Sequence, residues 1–197
     1  MKSIKDLFKR TDKKYWKILT AGAGLGALAS FIQLIERISW ADKPDQILRC
    51  NINSVFSCSS VFDAWQSSVF GFSNTIMCLL FFGVMLGVGL TMWFSDGKLN
   101  KNFRLVMQFL SVFFLLFGYW YLSQSALSIG ALCVFCIFCY IGVIAVNYSW
   151  LRLNVDDLPL SRKAASNLKK SIEQNNDIFG WALLATSLLL IFLYAFL

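Results

Sequence analysis

Four long stretches without a charged side chain limit what this chain can fold into. They cover residues 18–35, 64–95, 105–151 and 178–197. A bilayer core requires roughly 20 consecutive apolar residues for each helix that crosses it. The third stretch alone has 47 residues, which is enough for two helices and a tight turn. Only 15% of the residues are charged, whereas soluble domains have about 25%. The pattern therefore predicts an all-α integral membrane protein with five spanning helices.

The predicted spans divide the chain into four parts. We place the spans at 17–36, 68–94, 104–124, 130–150 and 178–197. The parts are a basic tail at 1–16, a four-helix bundle at 17–150 with an outward loop at 37–67, a linker at 151–177 and the fifth helix at 178–197. Apolar residues at helical spacing in the linker predict a short amphipathic helix on the membrane surface. The pairs Gly22-xxx-Gly26 and Gly83-xxx-Gly87 predict close approach between helices.

Basic residues are distributed unevenly between the two predicted sides of the membrane. Fifteen of the 18 lysines and arginines lie in the N-terminal tail and in the two loops on its side, at 95–104 and 151–177. Because cytoplasmic loops carry an excess of basic residues, the N-terminus is expected in the cytoplasm. The loop at 37–67, the turn at 125–129 and the C-terminus then face outward. We interpret the net charge of +7 as this orientation signal and expect no nucleic-acid partner.

The chain has six cysteines and no histidine. The absence of histidine excludes Ser-His and Cys-His catalysis, haem held by histidine and most zinc enzymes. An all-cysteine zinc site is the alternative use of the thiols. However, Cys50 and Cys58 are separated by seven residues rather than the about two to four that are typical of zinc ligands, so we expect no metal. The reactive chemistry that remains is mostly that of thiols.

At least four cysteines are expected on the outward side, where disulfides form and persist. Cys50 and Cys58 lie in the outward loop, and Cys133-Val134-Phe135-Cys136 opens the fourth span. A Cys-x-x-Cys pair at a helix N-terminus has both sulfurs on one face, and the helix dipole favours the thiolate there. Its disulfide closes too short a loop to stabilise a fold much, which indicates redox cycling. Two structural disulfides are the alternative.

The other two cysteines, Cys78 and Cys139, are predicted to take no part in the redox chemistry. Cys136 and Cys139 form a second, overlapping Cys-x-x-Cys, but Cys139 lies about 4.5 Å deeper in the membrane at 1.5 Å per residue. It is therefore predicted to be a buried thiol. Cys78, within the second span, is predicted to serve as a small apolar side chain.

Two cysteine motifs resemble those of the vitamin K epoxide reductase family. Cys50-x7-Cys58-Ser59-Ser60-Val61-Phe62 lies in the outward loop, and Leu132-Cys133-Val134-Phe135-Cys136, followed by Tyr140, lies in the fourth span. Both have the spacing and order of the family, and the resemblance covers about residues 15–150. Ser73-Asn74-Thr75-Ile76 is similar to the family's asparagine-bearing segment. The five spans and the cytoplasmic N-terminus match the bacterial homologues.

The resemblance implies a quinone-linked generator of disulfide bonds. By position, it implies that Cys50 exchanges with a thioredoxin-like partner and that Cys58 is the shuttle, through a transient Cys58–Cys133 bridge. It further implies that Cys136 is the thiolate that attacks the quinone and that Cys133 resolves the adduct.

The resemblance also implies a quinone site. Asn74 and Tyr140 match the positions that hydrogen-bond the quinone carbonyls, and Phe62 matches an aromatic wall. A polar residue such as Asn74 is costly in lipid and tends to be functional. A flat ring also needs apolar walls, for which Phe135 and Phe138 are further candidates. The expected cofactor is ubiquinone or menaquinone, and a quinone of the vitamin K type fits the same motifs.

Bacterial members often carry a thioredoxin-like domain after the fifth span, whereas this chain stops at Leu197. The expected partner is therefore a separate thioredoxin-like periplasmic protein, and the alternative is a chain truncated after the fifth span. The expected location is the bacterial inner (plasma) membrane, in contact with membrane lipid, with the redox site on the periplasmic side. Three alternatives stay open. They are a vitamin K epoxide reductase of the endoplasmic reticulum, a member of the disulfide-bond-formation protein B family, and a small channel, transporter or assembly subunit with structural disulfides.

Overall fold

The computed structural model describes residues 4–43, 47–95 and 97–197, with side chains from Lys13 onward. Its helices are α1 (Ile4–Asp42), α2 (Cys58–Asp63), α3 (Asn74–Phe94), α4 (Lys101–Gln124), α5 (Val134–Asn154), α6 (Arg162–Glu173) and α7 (Asp177–Phe196). A 3₁₀ turn at Trp65–Ser68 follows α2, and a π-helical turn at Ser125–Ile129 extends α4. Within the described ranges the only β pairing is one isolated bridge between Phe56 and Leu132.

Five helices are long and apolar enough to cross a membrane. They are Lys13–Asp42 within α1, α3, Lys101–Ile129 formed by α4 and its π turn, α5, and α7. The predicted all-α membrane fold with five spans is therefore confirmed. The second span begins at Asn74 rather than at 68, because Gly71 has a φ of 83° and a left-handed residue interrupts a right-handed helix.

The central helix of a four-helix bundle is α1. It packs along α3 and α5, and α5 packs in turn against α4. The rings of Phe81 and Phe114 stack with centroids 4.1 Å apart and join α3 to α4. Trp16 and Trp150 pack edge to face at 5.4 Å between α1 and α5. This arrangement brings the outer half of α1 beside the first turns of α5, which carry the Cys-x-x-Cys motif.

Glycines allow α1 and α5 to approach closely. A Cβ atom added at Gly142 would lie 2.7 Å from the backbone oxygen of Gly22 and 3.2 Å from Cα of Gly26, so the first predicted glycine pair does lie at a helix contact. The second pair does not. In the described part of the chain nothing lies within 4 Å of a Cβ added at Gly83 or Gly87, because these residues are on the exposed face of α3. The prediction of close packing there is wrong within this chain.

The fifth spanning helix, α7, lies outside the bundle. It contacts α4 and the π turn, and Leu188 is its one buried apolar residue. At its first turn, Asp177 accepts a 2.5 Å hydrogen bond from Arg152 of α5, and both side chains are buried. Removing one partner of such a buried pair leaves the other charge without compensation, so the pair fixes the beginning of α7. The linker forms α6 where its spacing predicts a short helix, and no residue of α6 is buried.

Candidate active site

The outward loop is joined to the segment that precedes α5. The backbone N–H of Leu132 donates to the Val55 carbonyl over 2.7 Å, and the N–H of Ser57 donates to the Leu132 carbonyl over 3.1 Å. These two bonds form the Phe56–Leu132 bridge. Because Cys133 directly follows Leu132 and Cys58 directly follows Ser57, these bonds position the two cysteine side chains against each other.

Asn51 fixes the other end of this arrangement. Its Oδ1 atom accepts hydrogen bonds from the backbone N–H groups of Cys58 at 2.8 Å and Ser59 at 3.2 Å. These are among the N–H groups that a helix leaves unpaired in its first turn. Asn51 directly follows Cys50, so these two bonds hold the beginning of α2 next to that cysteine. The sequence around Asn51 gives no sign of this role.

The sulfur atoms of Cys50, Cys58 and Cys133 lie one after another along this junction. Cys50 and Cys58 form a disulfide with Cα atoms 5.7 Å apart. The Sγ atom of Cys58 lies 3.5 Å from that of Cys133. Cys58 and Cys133 are completely buried, and Cys50 is 3% exposed. A thiolate at Cys133 is thus already in contact with the sulfur that it would attack or leave in a thiol–disulfide exchange.

Cys136, the second cysteine of the Cys-x-x-Cys motif, contacts α1. It is a free thiol in the first turn of α5. The Nε2 atom of Gln33 lies 3.1 Å from Cys136 Sγ and 3.6 Å from Cys133 Sγ, donating toward both. Sequence reasoning missed Gln33. The available signal was its polar side chain within the uncharged stretch 18–35, the same criterion that identified Asn74.

The two cysteines that are not predicted to take part in redox chemistry, Cys139 and Cys78, have different surroundings. Cys139 is buried, and its Sγ atom lies 3.2 Å from Ser30 Oγ within hydrogen-bonding distance. The prediction of a buried thiol is confirmed. Cys78 is partly buried and lines a cavity together with Cys136 and Cys139.

That cavity lies beside Cys136, between the interior faces of α3, α4 and α5. Its empty space is about 590 Å³, including its open side. Its lining includes Phe62, Asn74 and Tyr140, the three residues that the resemblance assigns to a quinone site, and also Cys136. The aromatic walls differ from the expectation. Besides Phe62 and Tyr140, the aromatic lining residues are Phe114, Phe117 and Tyr121 of α4. Phe135 and Phe138 do not line it, and Phe138 is 44% exposed on the outer face of α5.

Two buried polar atoms face this cavity without a partner. Among the described residues, the Tyr140 hydroxyl and the Asn74 Oδ1 atom have no hydrogen-bond partner, while Asn74 Nδ2 donates to the Gln66 carbonyl over 2.6 Å. Gly118 makes room for the Tyr140 ring, since an added Cβ would lie 2.7 Å from its Cδ2 atom. Buried polar groups are usually paired, so these two atoms are suited to a bound molecule with polar groups at its edges. The Tyr140 hydroxyl can donate to a quinone carbonyl, and the Asn74 oxygen can accept from the hydroxyl of a hydroquinone.

Phe62 is held in the cavity wall from two directions. Its carbonyl accepts hydrogen bonds from the guanidinium of Arg37 and, over 2.9 Å, from Ser67 Oγ. The same guanidinium lies 5.2 Å from the centroid of the Phe62 ring. One turn further along α1, the indole N–H of Trp40 donates to Asp63 over 2.9 Å. These contacts attach α2, and therefore Cys58 at its first position, to the outer end of α1.

Comparison with known proteins agrees with the site. No curated protein matches this chain significantly. The sequence model of the vitamin K epoxide reductase family matches residues 17–150, which include the bundle, both cysteine pairs and the cavity. Proteins of that family are membrane oxidoreductases that use thiol pairs and quinones. The chain is a multi-pass membrane protein that belongs to the vitamin K epoxide reductase family.

Proposed function

We propose that this protein oxidises a thioredoxin-like partner through Cys50 and Cys58 and passes the electrons through Cys133 and Cys136 to a quinone, thereby supporting disulfide-bond formation. One observation carries the proposal. The Cys50–Cys58 disulfide has its inner sulfur 3.5 Å from Cys133, the first residue of the Cys-x-x-Cys pair. A structural disulfide does not require a free thiol at that distance, whereas a relay does.

The exchange steps balance with the partner dithiol as the reductant and the quinone as the oxidant. A partner thiolate attacks Cys50 and releases Cys58 as a thiolate. Cys58 then attacks Cys133 in its oxidised pair, forms the Cys58–Cys133 bond and releases Cys136 as a thiolate. The partner's second thiol displaces Cys50, which re-forms its bond to Cys58 and frees Cys133. Closure of the Cys133–Cys136 disulfide then delivers two electrons to the acceptor.

The cavity next to Cys136 is the proposed quinone site. A quinone bound there would accept two electrons and two protons and become a hydroquinone. Tyr140 is proposed to donate its hydroxyl proton in a hydrogen bond to one ring oxygen. The Asn74 Oδ1 atom, which has no partner among the described residues, is proposed to accept a hydrogen bond from the hydroxyl that forms at the other edge of the reduced ring. The Phe62 ring, which is buried in the lining, is proposed to pack against the flat face.

The proposed partner surface surrounds Cys50. Ile47 is 91% exposed and Ile52 is 66% exposed, so two large apolar side chains flank the loop cysteine. Since Cys50 itself is 3% exposed, the partner must displace part of this loop to reach its sulfur. With the N-terminus in the cytoplasm, this loop is on the periplasmic side of a bacterial inner membrane. The redox unit is then 17–150, and 151–177 is a cytoplasmic linker.

The experiment that tests this function is a quinone-reduction assay. Purified protein in detergent is mixed with a reduced thioredoxin-like protein and either ubiquinone or menaquinone, and quinone absorbance is followed together with thiol loss. We expect one quinone to be reduced for each two thiols that disappear. The control is the same protein with its thiols blocked by N-ethylmaleimide. A rate that does not exceed this control would overturn the proposal.

A Tyr140→Phe variant tests the quinone site separately. A net hydrogen bond is worth about 0.5–1.5 kcal/mol, so we expect the KM for quinone to rise about two- to tenfold, measured by initial rates over a range of quinone concentrations. Tyr119→Phe is the matched control, because the Tyr119 hydroxyl donates to Ser187 on α7 over 3.0 Å and does not line the cavity. An unchanged KM in Tyr140→Phe would show that this hydroxyl does not contact the quinone.

A further inference from the structure

One amide nitrogen reaches both sulfurs of the Cys-x-x-Cys pair. Gln33 Nε2 lies 3.1 Å from Cys136 Sγ and 3.6 Å from Cys133 Sγ. The Gln33 side chain is 5% exposed, so it is held between α1 and α5 and away from water. A primary amide carries two N–H groups, and one can therefore point at each sulfur.

We propose that Gln33 is a catalytic hydrogen-bond donor that holds the negative charge on Cys136 when this sulfur leaves the Cys133–Cys136 disulfide. The inference deepens the proposed function and rests on it. The attacking Cys58 thiolate loses its charge as the Cys58–Cys133 bond forms, and Cys136 gains that charge as the Cys133–Cys136 bond breaks. No proton moves in this step. What the leaving sulfur needs is a donor that is already in contact with it.

The chain offers few other groups for this task. It contains no histidine, so no imidazolium can pair with the thiolate. Arg37 lies four residues along α1 from Gln33, but it bonds the Phe62 carbonyl. Ser30, three residues before Gln33, is within hydrogen-bonding distance of Cys139. On this face of α1, Gln33 is therefore the side chain that contacts the redox pair.

A neutral amide is also suited to this position. A buried cation without a permanent partner is costly, and the charge on Cys136 exists during only part of the cycle. Gln33 remains neutral and can donate to Cys133 when the charge passes to that sulfur. The two short distances from one nitrogen correspond to the two sites between which the charge moves.

Site-resolved alkylation tests the inference independently of quinone turnover. The full-length protein is reduced in detergent, treated with N-ethylmaleimide at pH 8 for increasing times and digested, and the modified fraction of each cysteine is measured by mass spectrometry. Gln33→Met keeps the length of the side chain but removes the donor, so we expect Cys136 to react roughly tenfold more slowly. Gln33→Glu keeps the shape but adds a negative charge, so we expect a decrease at least as large. Ser30→Ala is the matched control and should leave the Cys136 rate unchanged.

The Met variant separates a donor role from a merely structural one. If Gln33 only filled space, Gln33→Met would retain the wild-type rate at Cys136. If Cys136 reacts at the wild-type rate in both Gln33 variants, the inference is wrong, whatever the quinone assay shows. If Cys78 and Cys139 slow by the same factor as Cys136, the effect is a general loss of access and the inference is also wrong. A wild-type protein that fails to reduce quinone would instead overturn the proposed function and leave the alkylation result interpretable.

Discussion

A Cys136→Ala variant should lose quinone reduction and accumulate a Cys58–Cys133 disulfide. Without Cys136, the free Cys133 thiolate faces Cys58 of the Cys50–Cys58 bond at 3.5 Å, and no second sulfur of the pair can displace it. We expect quinone reduction with a protein donor to fall by roughly a hundredfold or more, because a covalent relay does not work without its nucleophile. Nonreducing peptide mapping should recover the peptides of Cys58 and Cys133 joined to each other.

The crosslink has its own control. In a Cys58→Ala, Cys136→Ala double variant the joined peptide must disappear, because its other sulfur is gone. If Cys136→Ala retains full activity, then Cys136 is not the thiol that delivers electrons to the quinone. If activity is lost but Cys133 is recovered as a free thiol, then the two cysteines do not exchange despite their distance.

A Cys58→Ala variant should separate protein donors from small dithiols. Cys58 is the cysteine of the loop pair whose sulfur contacts Cys133, so its loss should cut the path from the partner to the membrane pair. We expect turnover with a reduced thioredoxin-like protein to fall by about a hundredfold. Turnover with dithiothreitol should stay within about threefold of wild type, because this small dithiol can enter the space that the missing Cys58 side chain leaves beside Cys133.

The neighbouring residue supplies the comparison for this variant. Ser59→Ala removes a hydroxyl that accepts from Asn51 Nδ2 over 3.0 Å but removes no sulfur, and it should retain turnover with both donors. Both activities are measured as the loss of quinone absorbance. An equal loss of both in Cys58→Ala would indicate a structural disulfide rather than a relay, and it would contradict the proposed path.

Most of the fold could be predicted because membrane helices leave a local signature. Uncharged stretches of span length are readable from the sequence alone, and all five spans predicted from them are helices in the expected order. Helix ends were less predictable. The start of α3 depends on the left-handed conformation of Gly71. The sequence around a single glycine in an apolar run does not indicate which conformation that glycine adopts. The prediction of close packing at the Gly83-xxx-Gly87 pair was wrong for a similar reason. The spacing of two glycines does not reveal which face of their helix meets another helix.

The candidate site was predictable only in part. The cysteine motifs and the resemblance they carry pointed to Cys50, Cys58, Cys133 and Cys136, and the structure brings three of their sulfurs together with Gln33 at the fourth. Gln33 and the aromatic residues of α4 were missed because their roles depend on contacts between helices that are distant in sequence. The pairing of Phe56 with Leu132 is likewise long-range, and no local pattern in either segment specifies it.

The bridge between Phe56 and Leu132 has a consequence for the kinetics of the proposed relay. The bridge holds Cys58 against Cys133. Exchange between the Cys50–Cys58 pair and the Cys133–Cys136 pair is therefore a unimolecular event that does not require the loop to move into position first. Reactions between groups held in this way can correspond to effective molarities of about 10⁵ M or more. The slow, second-order event is then the arrival of the partner at Cys50. Turnover should therefore follow the concentration of the protein donor until release of the reduced quinone becomes limiting.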